Sequence, residues 1–303
     1  MQKNVDIGAI KPNSVLVVAG PTASGKSALA LELAMQYNGV IINADASQLY
    51  KDIPIISAAP DENDKAKVEH LLYGILEAGE KNSISDWIKL VVKAIKNVWQ
   101  QGKLPIVTGG TGFYIESLIN GVSPIPETKL EVKQRVAEMF KTHGGRAVFE
   151  YLQKIDAKGA KKVNPNDTTR VRRALEIFED TGISIDEWFE KPMIKVLPEA
   201  EFTVVLLLKD LSELEDKCNR RFDIMMNDGA LDEIKSLVGK GVAADMPVMK
   251  AIGVPELMSF LRDEISIDEA VKSAKLHTRQ YAKRQLTWFR NRFKKLDCKQ
   301  IIF

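Results

Sequence analysis

Gly20-Pro21-Thr22-Ala23-Ser24-Gly25-Lys26-Ser27 places two glycines ahead of a lysine and a hydroxyl. This spacing suits a loop whose backbone N–H groups converge on phosphate oxygens, with a helix N-terminus behind them. Lys26 would reach the terminal phosphate, and the Ser27 hydroxyl would ligate Mg²⁺. The pattern specifies a polyphosphate without saying which one. A hydrolase of nucleoside triphosphates usually adds an apolar strand ending in Asp. Here the apolar run over residues 104–108 ends in Gly109-Gly110-Thr111-Gly112 instead, and the guanine-reading Asn-Lys-x-Asp pattern is missing.

Two further groups belong to the same chemistry. Asp45 follows the apolar run 40–44, at the end of a strand where open α/β sheets bind ligands. It can hold Mg²⁺ through water, act as general base on an acceptor nucleophile, or cap the turn over residues 47–50. Thr111 offers a hydroxyl at the same edge, and its flanking glycines would let backbone approach a ligand closely.

These residues need elements to position them. The apolar runs 15–19, 40–44, 104–108 and 202–208 read as buried strands. Residues 27–37 and 84–101 read as helices, the second with apolar positions at 84, 87, 88, 91, 92, 95 and 98. Strands alternating with helices predict an α/β fold with a parallel sheet. Residues 129–189 have helical periodicity and few strand signals, which predicts a helical insertion. The chain after residue 208 reads as mostly helical to residue 295.

Bulk properties narrow the class. A hydrophobic fraction of 45% with 28% charged residues is ordinary for a globular chain with a sizeable core. No apolar run is long enough to span a bilayer, no secretory leader is visible at the start, and two cysteines make a disulfide framework or zinc site unexpected. A cytoplasmic protein without membrane contact is expected. Net charge is only +2, yet Lys272, Lys275, Arg279, Lys283, Arg284, Arg290, Arg292, Lys294, Lys295 and Lys299 crowd one segment with Asp297 as the single acid. Such a cluster suits a polyanion, or else a solvated helix face.

Five motifs in order resemble the signatures of the bacterial tRNA dimethylallyltransferase family: residues 20–27, Asp45-Ala46-Ser47-Gln48-Leu49-Tyr50, Gly109-Gly-Thr-Gly-Phe-Tyr114, Asn164-Pro-Asn-Asp-Thr-Thr169-Arg170-Val-Arg-Arg173, and Arg279-Gln-Tyr-Ala-Lys283-Arg284-Gln-Leu-Thr-Trp288. The resemblance implies a P-loop NTPase-like parallel sheet core over 1–125 and 190–303, with a helical C-terminal part and a tRNA-contacting helical insertion over 126–189. It implies a monomer that transfers dimethylallyl from its diphosphate to N6 of an adenine beside the tRNA anticodon. Asp45, Thr111 and Lys26 would be catalytic, and residues 20–27 with Arg220 or Arg221 would hold the donor. Asp45, Ala46, Ser47, Gln48, Thr111, Arg135, Thr169, Arg170, Arg173, Lys250, Gly253, Arg279, Lys283 and Arg284 would meet tRNA. Departures from the family pattern fall at Ala59, Glu69, Val254 and Pro255, by resemblance at the tRNA-facing surface. A free-nucleotide isopentenyltransferase, a small-molecule kinase and a non-catalytic RNA-binding remnant are the alternatives.

Overall fold

The protein is described by a computed structural model covering residues 7–302. β1 (Ser14–Ala19) leads through the phosphate loop into α1 (Lys26–Gln36) and back to β2 (Gly39–Asn43). α2 (Glu62–Lys67), the two-residue β3 (His70–Leu71), α3 (Ile84–Gln100), β4 (Leu104–Gly109) and α4 (Gly112–Asn120) follow. α3 starts where Ser83 and Asp86 form a capping box, and it buries Trp87, Val91, Ile95 and Val98 along one stripe.

The chain then leaves this unit at Asn120 and resumes it at Val196. The second compact unit, Gly121–Lys195, contains α5 (Leu130–Ile155), α6 (Ala157–Ala160), α7 (Thr168–Thr181) and α8 (Ile185–Glu190). Its own core joins Val136, Leu152, Val171 and Leu175. α5 breaks at Gly144, which takes a non-helical φ of 76°.

The first unit continues with β5 (Glu201–Leu206), α9 (Leu211–Asn227), α10 (Ala230–Gly239), α11 (Val254–Leu261), α12 (Ile267–Arg292) and β6 (Lys299–Ile302). All strand pairings are parallel, in the order β3-β2-β4-β1-β5-β6. The central strand β4 is buried along its length, as continuous apolar runs predict for a sheet covered on both faces. Leu16, Val18, Ile41 and Ile106 of the sheet pack with Leu33 of α1. A second core, with Phe222, Ile234, Val248, Leu257 and Ala274, ties α9 to α12 and reaches Ile53 and Ile56.

The four expected strands and both expected helices are present, with ends within two residues of the reading; β5 stops at Leu206. The edge strands β3 and β6 carried no signal. Two and four residues are too short to show a period, and the sheet supplies the hydrogen bonds that fix them. Among the described residues no helix is long and apolar enough to cross a membrane.

Candidate active site

Strand register assembles the site. Ala19 lies opposite Gly109, and Asn43 lies opposite Thr108. β4 therefore sits between β1 and β2. The phosphate loop, the Gly110–Gly112 loop and Asp45 emerge side by side at one carboxyl edge of the sheet, the ligand-binding edge of open α/β folds.

The phosphate loop folds as an open cradle. Ala23 and Gly25 take left-handed φ angles of 63° and 94°, which turn successive N–H groups inward. Among the described residues, the N–H groups of Gly25, Lys26 and Ser27 have no hydrogen-bond partner, as expected where a helix begins. The buried Ser24 hydroxyl also lacks one. Burial pushes the Lys26 ammonium down to about 8; the Asp45 charge opposes that shift and the Arg221 charge adds to it. A dianionic ligand would restore the lysine charge. Ser27 is exposed at the start of α1.

Thr22 is pinned from two helices. Its N–H donates to Gln285 Oε1 on α12 at 2.8 Å, and its hydroxyl accepts from Arg221 on α9. Arg221 thus faces the loop and lines the cavity, whereas Arg220 is exposed and lies outside it. Helical spacing turns adjacent residues about 100° apart, so only one of this pair can reach the site.

Asp45 is held by the fully buried Asn43. The Asn43 Oδ1 accepts from Asp45 N at 2.7 Å, and its Nδ2 donates to the Asp45 and Leu72 carbonyls, each at 3.0 Å. One carboxylate oxygen, Oδ1, accepts from Ser47 N at 3.1 Å and Ser47 Oγ at 2.7 Å. Among the described residues Oδ2 takes no hydrogen bond. The local turn and an oxygen open for chemistry therefore coexist in one residue. The helix-cap position before Ser47 belongs to Ala46. Thr111 Oγ1 accepts from Ala46 N at 3.1 Å, which leaves the threonine's own hydrogen for a ligand.

A cavity of about 390 Å³ joins these groups. Thr22, Asp45, Thr111 and Arg221 form its polar end, and Ile56, Phe222, Met225 and Val248 an apolar wall. Lys250, Tyr281 and Arg284 also line it. Burial, and then the Asp45 charge, raise the Tyr281 phenol well above its usual value, so it stays neutral. The cavity thus offers a cation and a carboxylate close together at its polar end, with hydrocarbon along one wall. Among the described residues no group of three or more His, Cys, Asp or Glu could hold a metal ion by itself.

A protein-family model described as IPP transferase matches residues 48–292. The chain belongs to the IPP transferase family. It is 41% identical over 281 residues to a tRNA dimethylallyltransferase of Zymomonas mobilis, covering 93% of this chain and 89% of the relative. It is similar to the crystal structure of the full-length tRNA isopentenylpyrophosphate transferase of Bacillus halodurans, with 31% identity, a TM-score of 0.66, and 96% and 90% of the two chains covered. It is also similar to a eukaryotic dimethylallyltransferase acting on tRNA, seen in crystallographic snapshots: 29% identity, a TM-score of 0.82, and 96% and 74% covered.

The remaining expected positions in this IPP transferase family member divide into groups. Lys283 and Arg284 are exposed on α12, and among the described residues no carboxylate pairs with either. Arg279 Nη1 donates to Asn219 at 2.8 Å. In the second unit Arg135 pairs with Glu179 at 2.8 Å, Arg170 with Asp167 at 3.3 Å, and Arg173 donates to Thr128 at 2.7 Å; Thr169 is exposed. Gln48 donates its amide to the carbonyls of Ser57 and Ala58. It therefore ties down the loop that carries Ala59.

Three expectations need correction. The glycines of the 109–112 loop admit the protein's own atoms: a Cβ on Gly109 would lie 2.1 Å from the Ala44 carbonyl oxygen, and one on Gly112 would lie 2.3 Å from the Trp288 ring. Gly253 is buried against Ile56 and Phe222, and its N–H donates to Glu256 at 2.8 Å; it presents no side chain to an RNA. Val254 is a core residue with none of its surface exposed. Its departure is therefore a packing change, and Pro255 occupies the first turn of α11, where proline is favoured.

The sequence alone assigns no role to Asn43, Gln285, Tyr281 or Trp288. Gln285 acts through partners distant in sequence, which only the fold brings near, whereas Asn43 bonds Asp45 two residues on. Tyr281, Gln285 and Trp288 lie within the motif over residues 279–288, but nothing local marks Tyr281 as lining a cavity or Trp288 as packing on Gly112.

Proposed function

We propose that this chain transfers a dimethylallyl group from dimethylallyl diphosphate to the N6 amine of an adenine beside the tRNA anticodon, releasing diphosphate. Membership of the IPP transferase family and relatives at about 40% identity acting on tRNA support the reading. The observation that carries it is one cavity lined by Thr22 of the phosphate loop, by Arg221, by a carboxylate with an open oxygen, and by an apolar wall suited to a five-carbon chain.

The N–H groups of residues 25–27, Lys26 and Arg221 hold the diphosphate. They stabilise the charge that develops as the bond from the prenyl carbon to oxygen breaks. The amine nitrogen forms the new bond to that carbon, and Asp45 Oδ2 takes the proton it loses. Thr111 donates its hydroxyl hydrogen to the base or the reacting centre. The Ser27 hydroxyl and the donor's phosphate oxygens would hold a hard cation such as Mg²⁺, which would neutralise part of the diphosphate charge. Lys283 and Arg284 on α12, with Lys250 beside the cavity, contact tRNA phosphates, and the adenine leaves its stack to enter. Arg135, Thr169, Arg170 and Arg173 form an RNA-facing surface on the second unit.

The purified chain is incubated with labelled dimethylallyl diphosphate, Mg²⁺, and either tRNA, AMP or ADP. Label in a modified adenosine released from tRNA is expected. Transfer to AMP or ADP alone would identify a free-nucleotide enzyme. ATP-dependent phosphorylation without prenyl transfer would identify a kinase.

A further inference from the structure

Gln285 is the one buried polar side chain of α12, and it touches both halves of the proposed site. Its Oε1 accepts from Thr22 N at 2.8 Å, and its Nε2 donates to the Gly110 carbonyl at 2.7 Å. The orientation of the amide is forced, because a backbone N–H can only donate and a carbonyl can only accept. A carboxylate could serve Thr22 but would set an oxygen against the Gly110 carbonyl. A hydrocarbon of the same length would leave both backbone groups buried without partners. The glycine at 110 fits the same contact, since a Cβ there would lie 2.4 Å from Gln285 Nε2.

The two loops have different tasks. Thr22 belongs to the cradle that would hold the donor diphosphate, and Gly110 precedes Thr111, which contacts the Ala46 backbone next to Asp45. We infer that Gln285 is a positioning residue that fixes the separation between the donor cradle and the acceptor side of the site. This rests on the prenyl-transfer reading given above. The reaction joins two bound partners, so its rate depends on how far apart they are held, and a displacement of about 1 Å can cost roughly a hundredfold. Gln285 bonds two backbone groups and the Tyr281 hydroxyl rather than a substrate, so each substrate alone should bind almost as before.

The test uses Gln285→Met, which fills the volume and loses both bonds, and Gln285→Glu, which keeps the bond to Thr22. Gly110→Ala is a third, independent way to displace the amide. Single-turnover transfer is measured with full-length tRNA, alongside the Kd of tRNA and the Kd of an unreactive thio-analogue of dimethylallyl diphosphate. The expected result is a tenfold to hundredfold slower transfer step in Gln285→Met and Gly110→Ala. Gln285→Glu is expected to be slowed at least tenfold, with both Kd values within about threefold of the parent in each folded variant. An unchanged transfer step in any folded variant would overturn the inference, as would losses of both affinities in proportion to the transfer rate. If Gln285→Met does not fold, the other two variants decide it by the same readings. The parent's own transfer to tRNA is measured alongside: its failure counts against the function, and its success with unslowed variants counts against Gln285 alone.

Discussion

The phosphate loop and the basic face of α12 both present positive charge, and they do so in opposite ways. The loop uses unpaired backbone N–H groups and a lysine whose ammonium burial has pushed to about 8. α12 uses exposed side chains, Lys283, Arg284 and Arg290, without carboxylate partners among the described residues. Fixed dipoles in a half-enclosed site act strongly over a short range and hardly respond to salt. Exposed cations act over about a Debye length and weaken steeply with salt. Chemistry should therefore depend on the first region and tRNA affinity on the second.

The largest effect expected is at Asp45. Asp45→Asn keeps the size and the acceptor oxygen facing Ser47 but cannot take a proton, so single-turnover transfer should fall by about 10² to 10⁴. tRNA affinity should change little. If Asp45 only shaped the local turn, Asn would serve as well and transfer would be near normal. If it acted only by holding the cation, raising Mg²⁺ would restore part of the rate.

Lys26→Ala comes next. One oxyanion-stabilising contact is worth about 3 kcal/mol, so transfer should slow roughly a hundredfold. Near-normal transfer would show that the loop does not hold the donor. The same lysine gives a smaller, pH-dependent effect. Below about 8 it is charged in the free protein, and as pH rises through that value the charge is lost. Donor binding should then require uptake of a proton and weaken by up to about tenfold per pH unit. Calorimetry in buffers of different ionisation enthalpy measures that uptake, and its persistence in Lys26→Ala would assign it to another group.

The smallest effect concerns α12. Replacing Lys283 and Arg284 by Ala should reduce the slope of log K against log salt by roughly one unit or less per lost phosphate contact. Donor affinity should stay constant. An unaltered slope would make this face a solvated helix surface and remove one side of the comparison.

How much of this was legible in the sequence follows the same division. The phosphate loop could be read because its chemistry resides in consecutive residues, Gly20 to Ser27, between a strand and a helix. Asp45 and Thr111 could be read because each stands two residues after an apolar strand. What holds them could not. Asn43 grips Asp45 from within β2, and Gln285 reaches Thr22 across 263 positions of sequence. The Gln285 contacts depend on strand order, with β4 inserted between β1 and β2, and no local pattern encodes that order; the Asn43 bond to Asp45 is local, and it is the burial of Asn43 that the sequence does not show. The choice between Arg220 and Arg221 likewise needed the rotation of α9 against the loop. The glycines at 109 and 112 show the converse. Their presence was visible, but whether they make room for a ligand or for Ala44 and Trp288 was a matter of packing.

The division between the two regions is tested most directly by one salt titration of the unaltered protein. Single-turnover transfer from dimethylallyl diphosphate is measured at saturating tRNA, and tRNA Kd is measured in parallel from low to moderate salt. The account predicts a transfer step that stays within about twofold while tRNA affinity falls with a log–log slope of several units, set by the phosphates neutralised. A transfer step that fell in step with affinity, or an affinity indifferent to salt, would contradict it.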